Sequence, residues 1–233
     1  MSDKINFEIY LFISSKRLII SAYSSTNELI YEKELLFEQD SKKLFFEKLD
    51  FFLNDNIFKI EKILKSFVKN IFIILDFGEI FPVELSIKRN SHKNIINLEN
   101  LNYLLYEAKD CCKKTVHGSR IAHMIIENYR LDDKNYSSLP INVKCNTFYL
   151  DIKFICIPIN FVHNLESILK KYHISLGQVV SASYIYKFLS DDQKDVFLMT
   201  KNITNGHNPN EVILIDKTTK PSGFFEKFFK LFN

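Results

Sequence analysis

Three short apolar runs open the chain: "NFEIYLFI", "RLIISAYS" and "ELIYEKEL". Each is rich in Ile, Leu, Phe and Tyr, and polar turns at 14–16 and 24–27 separate them. The pattern predicts a three-stranded antiparallel meander. Helical spacing follows. Asp40 and Ser41 stand where a helix cap belongs, and in "SKKLFFEKLDFFL" residues Leu44, Phe45, Leu49, Phe52 and Leu53 fall near one face. A second amphipathic piece, "IFKIEKILKSFVKN", comes next. The continuous apolar run "IFIILD" at 71–76 reads as a buried strand, and "PVELSIKR" as another.

After a polar loop, "LENLNYLLYEAKDCCKK" is helical, with Leu98, Leu101, Leu105 and Ala108 on one side. "RIAHMIIENYRLD" is strand-like. In "TFYLDIKFICIPI" residues Phe148, Leu150, Ile152 and Phe154 alternate with polar or smaller ones, which predicts a long strand. "NFVHNLESILKKYH" predicts a helix capped by Asn160, with Phe161, Leu165, Ile168 and Leu169 as its stripe. "ISLGQVVSA" reads as a strand and "ASYIYKFLS" as a short helix. "VFLMT" and "EVILID" read as brief strands around the turn-rich "NITNGHNPN". The fold class is mixed α/β, or α+β, with several antiparallel pairs and no internal repeat.

The last residues, "PSGFFEKFFKLFN", break the pattern. On a helical wheel Phe224, Phe225, Phe228, Phe229, Leu231 and Phe232 share an arc of about 160°. Glu226, Lys227, Lys230 and Asn233 fill the rest. Ten residues reach only about 15 Å, too short to cross a bilayer but suited to lying on one. A Pro221-Ser222-Gly223 hinge precedes them. The segregation suits either a membrane-binding helix, with Lys227 and Lys230 on its polar side, or a helix docked on the protein's own core.

Composition narrows the chemistry. The net charge of +3 implies no polyanion partner, so no nucleic acid is expected. Cys111, Cys112, Cys145 and Cys156 include no C-x-x-C pair, so reduced thiols and no metal are expected. The start has Asp3 and Glu8 among its apolar residues and no cleavage signature, which does not suit a signal peptide. The five glycines are isolated, and neither of the common glycine-rich phosphate loops occurs. His123, Asp132 and Ser137 can be assembled into a triad only in the way that any chain of this length allows. His117, His163, His173 and His207 read as surface or satisfied histidines. No cofactor is expected.

The stretch from Leu98 to Val196 resembles one region of FtsA, the actin-like bacterial cell-division protein. There a helix leads into a strand of the form I-L-H-x-I-P-x-x-Y-x-aliphatic-D, then a loop with proline. Here Ile121, His123, Ile125, Tyr129, Leu131 and Asp132 hold that strand's positions, and Pro140 stands where the loop proline belongs. "FYLDIKFICIPIN", "NLESILKKYHISLGQVV" and "SASYIYKFLSDDQKDV" continue the match in order and spacing. The first strand, "EIYLFISSKRLIISA", is similar to the family's first phosphate strand. The resemblance puts a degenerate nucleotide site at Phe12, Ser14 and Ser15, with Phe12 where the family has Asp and Ser14 where it has Gly. The second glycine-rich phosphate motif is replaced by "FLMTKNITNGHNPN".

The resemblance implies half of an actin-like (ribonuclease-H-like) fold with an inserted 1C (SHS2-like) subdomain. Its expected divisions are 1–90 for a 1A-type subdomain, 91–182 for a 1C-like interaction subdomain and 183–200 for the return to the first. Residues 201–222 would be a remnant and linker, and 223–233 the amphipathic helix. It implies a non-enzymatic adaptor at the septum, on the inner face of the cytoplasmic membrane. Other cell-division proteins would bind the 1C-like region; self-association and contact with FtsZ are open. The alternatives are an actin-like ATPase that keeps nucleotide binding, and a soluble adaptor whose last helix packs on its own core.

Overall fold

A computed structural model describes residues 7–38, 42–90, 98–140 and 142–212. The expected cap at Asp40 and Ser41 and the whole amphipathic tail lie outside them. The strands of the described residues form two sheets. The first begins with the expected meander, β1 (Phe7–Ser14), β2 (Arg17–Ser24) and β3 (Leu29–Leu36). Helix α1 (Lys42–Leu64) follows, then β4 (Asn70–Asp76). The next four strands build the second sheet: β5 (Phe81–Asn90), then, after helix α2 (Leu98–Thr115), β6 (Ser119–Leu131), β7 (Lys134–Tyr136) and β8 (Thr147–Pro158). The chain returns through helix α3 (Ile159–Lys171) to β9 (Ser175–Ser181). It continues as α4 (Ala182–Ile185), a single 3-10 turn and α5 (Val196–Thr204).

The first sheet has the order β3-β2-β1-β4-β9. β2 is antiparallel to β1, whereas β4 and β9 run parallel to it. A meander followed by two parallel strands, added on the far side of the first, is the ribonuclease-H-like arrangement, half of an actin-like fold. β1 is buried on both sides. Ile9, Leu11 and Ile13 face a core made with α1 and α3. Tyr10 and Phe12 face a second core made with α4 and α5. One backbone contact is close enough to need glycine: a Cβ at Gly177 of β9 would lie 2.9 Å from the Ile71 carbonyl oxygen of β4.

The second sheet, ordered β5-β8-β6-β7, is antiparallel throughout. α2 covers it, burying Leu101, Leu104, Ala108 and Cys112 against Phe148, Leu150, Ile152 and Phe154. By sheet membership the insertion lies between β4 and α3. Residues 81–90, expected with the first subdomain, pair with β8. The stripe of α3 and strand β9, expected with the second, pack in the first.

Four local expectations are corrected. The two expected helical pieces, 41–53 and 57–70, are one helix that ends at Leu64, before a turn and β4. Asn56 in its polar middle is satisfied: Nδ2 donates to the Phe52 carbonyl within the helix, and Oδ1 accepts from the Tyr31 hydroxyl of β3 at 2.6 Å. Leu44, expected on the buried face, is 41% exposed. Asn160 does not cap α3, which starts at Ile159 directly after Pro158 with no side-chain cap; the Ile159 N–H donates to the Gly118 carbonyl instead. "VFLMT" is the start of α5, not a strand, because the Asp195 carboxylate accepts from the Phe197 and Leu198 N–H groups and caps a helix there.

Candidate functional site

β1, β4 and β9 run in one direction, and Ser14 and Asp76 are register partners. Ser181 pairs with Leu75, so the three strands end together at Ser14, Asp76 and Ser181. Open α/β sheets take ligands at this carboxyl edge. Phe12, Ser14 and Ser15, named from the sequence as a degenerate nucleotide site, lie at or near this edge. Phe12 is 2% exposed and belongs to the core under α4 and α5, beside Tyr10, Ile74 and Val180. The Arg17 guanidinium stands 5.0 Å from its ring centroid. Ser14 closes the turn between β1 and β2. Its Oγ accepts from the N–H groups of Arg17 (3.1 Å) and Lys16 (3.3 Å) and donates to the Arg17 carbonyl. Ser15, next in the turn, is half-buried. Asp76 accepts from the Tyr186 hydroxyl at 3.3 Å. Burial and the Asp76 charge push that hydroxyl's pKa up, while Arg17 opposes them.

A second polar group, missed by the sequence reading, lies where the two sheets meet. His123 of β6 sits at a register shift and carries a fully buried ring. Its Nε2 accepts from the Ser181 N–H at 3.0 Å, so the ring proton is on Nδ1 and is directed at Glu211 Oε1, 2.7 Å away. The other Glu211 oxygen accepts from the Tyr184 hydroxyl at 2.9 Å, and that hydroxyl accepts from Asn208 Nδ2 at 2.8 Å. Burial pushes the Tyr184 hydroxyl's pKa well up. The rings of His123 and Tyr184 are 4.6 Å apart.

Backbone bonds tie the same segment down. Ile125 and Glu211 form an antiparallel bridge, Val212 N–H donates to the Met124 carbonyl, and Ile126 N–H to that of Asn210. The end of the described chain is thus strapped along β6. Only the Glu211 and Val212 part of the expected strand "EVILID" falls inside the described residues. Both His123 nitrogens are used here, and the Asp132 carboxylate accepts from Asn146 N, Thr147 N and the Thr147 hydroxyl. His123, Asp132 and Ser137 therefore do not come together as a triad.

No local motif announces this group, because His123 and Glu211 are 88 residues apart. A histidine among the apolar residues of "IAHMII" was the available signal. Among the described residues, no three His, Cys, Asp or Glu side chains gather as a metal set. None of the four cysteines is in a disulfide. Cys112 and Cys156 have Sγ atoms 3.9 Å apart in the second core, and burial pushes the Cys156 thiol up to about 12. No helix among the described residues is long and apolar enough to cross a membrane. Phe224, Phe225, Lys227, Phe228, Phe229, Lys230, Leu231 and Phe232, the expected membrane contacts, lie outside the described residues.

No protein-family model matches the chain, and no curated protein does. Solved structures do. The cytoplasmic domain of EpsL, an inner-membrane component of the type II secretion system of Vibrio cholerae, is 11% identical. The match covers 77% of this chain and 57% of that one, with a TM-score of 0.38. The PilM-PilN type IV pilus biogenesis complex matches at 6% identity, over 76% and 48% of the two chains, with a TM-score of 0.44. A Bacteroides thetaiotaomicron protein with an actin-like ATPase fold matches at 14% identity, over 81% and 58%, with a TM-score of 0.32. The chain spans about half the length of these structures. All three scores are below 0.5, and the fold assignment rests on strand order and direction alone.

Proposed function

We propose that this chain is a non-enzymatic adaptor of the FtsA type, held at the inner face of the cytoplasmic membrane by its amphipathic tail and acting at the septum through protein contacts. The burial of Phe12 carries the reading. At the strand end where the resembling family places a phosphate-contacting carboxylate, this protein has a phenylalanine packed into its core, and the neighbouring Ser14 is spent on closing a turn. The edge is built for packing. The strap at 208–212, which precedes the tail in sequence, adds to this: Glu211 accepts from His123 and Tyr184 and ties that segment to the join of the two sheets.

The partner surface in this reading is the second sheet with α2, where Tyr103 and Tyr106 are 58% and 69% exposed. Photo-crosslinking residues placed at 103 and 106 should give adducts with other division proteins in growing cells. The same residue at Leu29 or Leu36, exposed on edge strand β3, should not. Adducts from β3 alone would remove the partner role from the second sheet.

A further inference from the structure

The end of α1 and the turn after it carry more apolar surface than the fold uses. Ile60, Leu64 and Val68 are buried in the first core. Phe58, Ile63 and Phe67 are not: they are 71%, 51% and 78% exposed. On the wheel, with Phe58 at zero, Lys62 falls at about 40°, Lys59 at about 100° and Ile63 at about 140°. Two lysines therefore stand between two apolar side chains on the outer face of the last turns. Lys65 and Lys69 lie in the turn itself, and all four lysines are exposed.

The acidic residue of this stretch is Glu61, and its carboxylate points back into the turn to accept the Val68 N–H at 3.0 Å. The turn is held in place. Ser66 N–H donates to the Glu61 carbonyl, and Ser175 N–H to that of Lys69. The display of Phe67 and its neighbours is thus fixed by the backbone.

Exposed aromatic and aliphatic groups interleaved with four lysines that form no ion pair among the described residues, with one acid, Asp55, a turn before Lys59, suit a surface that is apolar beneath and anionic above. Lysine stems lie along the apolar layer while their ammonium groups stay at the headgroups. We infer that this tip is a membrane-docking site of the folded body, selective for anionic lipid. It goes beyond the tail-anchored adaptor reading and needs no contribution from the tail. It would fix how the body faces the bilayer, which a single terminal attachment point does not do.

The chain contains no tryptophan, so a single introduced indole reports one place. F67W probes the tip and F228W the tail, each in the full chain. The probes are vesicles of phosphatidylcholine and phosphatidylglycerol in equal parts, against phosphatidylcholine alone. The indole of F67W should shift to the blue on the anionic vesicles and stay unmoved on the neutral ones. Adding K59Q and K62Q should weaken that response about 30-fold. An F67W indole that ignores anionic vesicles overturns the proposal, and so does an equal shift on neutral ones. A shift that follows protein concentration without vesicles makes the tip a contact between copies, and also overturns it. F228W separates the two readings. A silent tail with a responding tip sinks the tail anchor alone; a responding tail with a silent tip sinks only the inference drawn here.

Discussion

Glu211 holds two buried donors at once, the Nδ1–H of His123 and the hydroxyl of Tyr184. Its side chain is 8% exposed, and that of His123 is fully buried. Glu211→Ala would leave both buried donors without this acceptor. Each unpaired group costs about 1–3 kcal/mol. Urea unfolding of E211A should therefore show a midpoint well below wild type. A loss under about 0.5 kcal/mol, the level of an ordinary surface change, would mean that the group is not a junction. Residues such as these were the least legible in the sequence. His123 was visible as a polar residue in an apolar strand, but its partner comes from the far end of the chain and only the folded topology brings the two together. Phe12 was legible as a departure from the family's phosphate strand. Its use, filling a core beside Tyr10, needed the structure.

Elements were legible where period and burial agree. The meander, β4 and β8 follow their alternation or continuous apolar runs because sheets bury one face or both. Helix limits were less legible. "VFLMT" has strand-like residues, but the Asp195 cap and the packing of Phe197 and Ile203 make it a helix. The join between α1 and α3 gives a test at this scale. Asp50 of α1 accepts from Lys171 Nζ at 2.5 Å and from the Tyr172 hydroxyl at 2.8 Å. The Lys171 hydrogen bond, with help from Tyr172, holds the Asp50 carboxyl below its ordinary range, while burial works the other way. A folded-state value below the unfolded one gives stability that is present above the unfolded value. That stability is lost as pH falls through the folded one. Both partners are partly exposed, so the worth is about 0.5–1 kcal/mol. Asp50→Asn should be less stable than wild type by that amount near neutral pH. The difference should close as pH falls through and below the aspartate range. A difference that persists unchanged in acid would assign it to packing instead.

For the whole molecule, a ribonuclease-H-like sheet carries an inserted antiparallel sheet, and one buried polar group and one backbone strap pin the chain's last described segment across the join. The carboxyl edge of the first sheet is where a nucleotide would bind if this half worked as the resembling family's phosphate strands do. Phe12, Ser14 and the Asp76–Tyr186 contact occupy that edge with packing and turn closure. The most direct test is isothermal titration calorimetry of Mg-ATP into the full chain. The expected result is a dissociation constant on the order of a millimolar or weaker, and no change in melting temperature with nucleotide present. A micromolar constant, with a matching rise in melting temperature, would contradict it and return the protein to the actin-like ATPases.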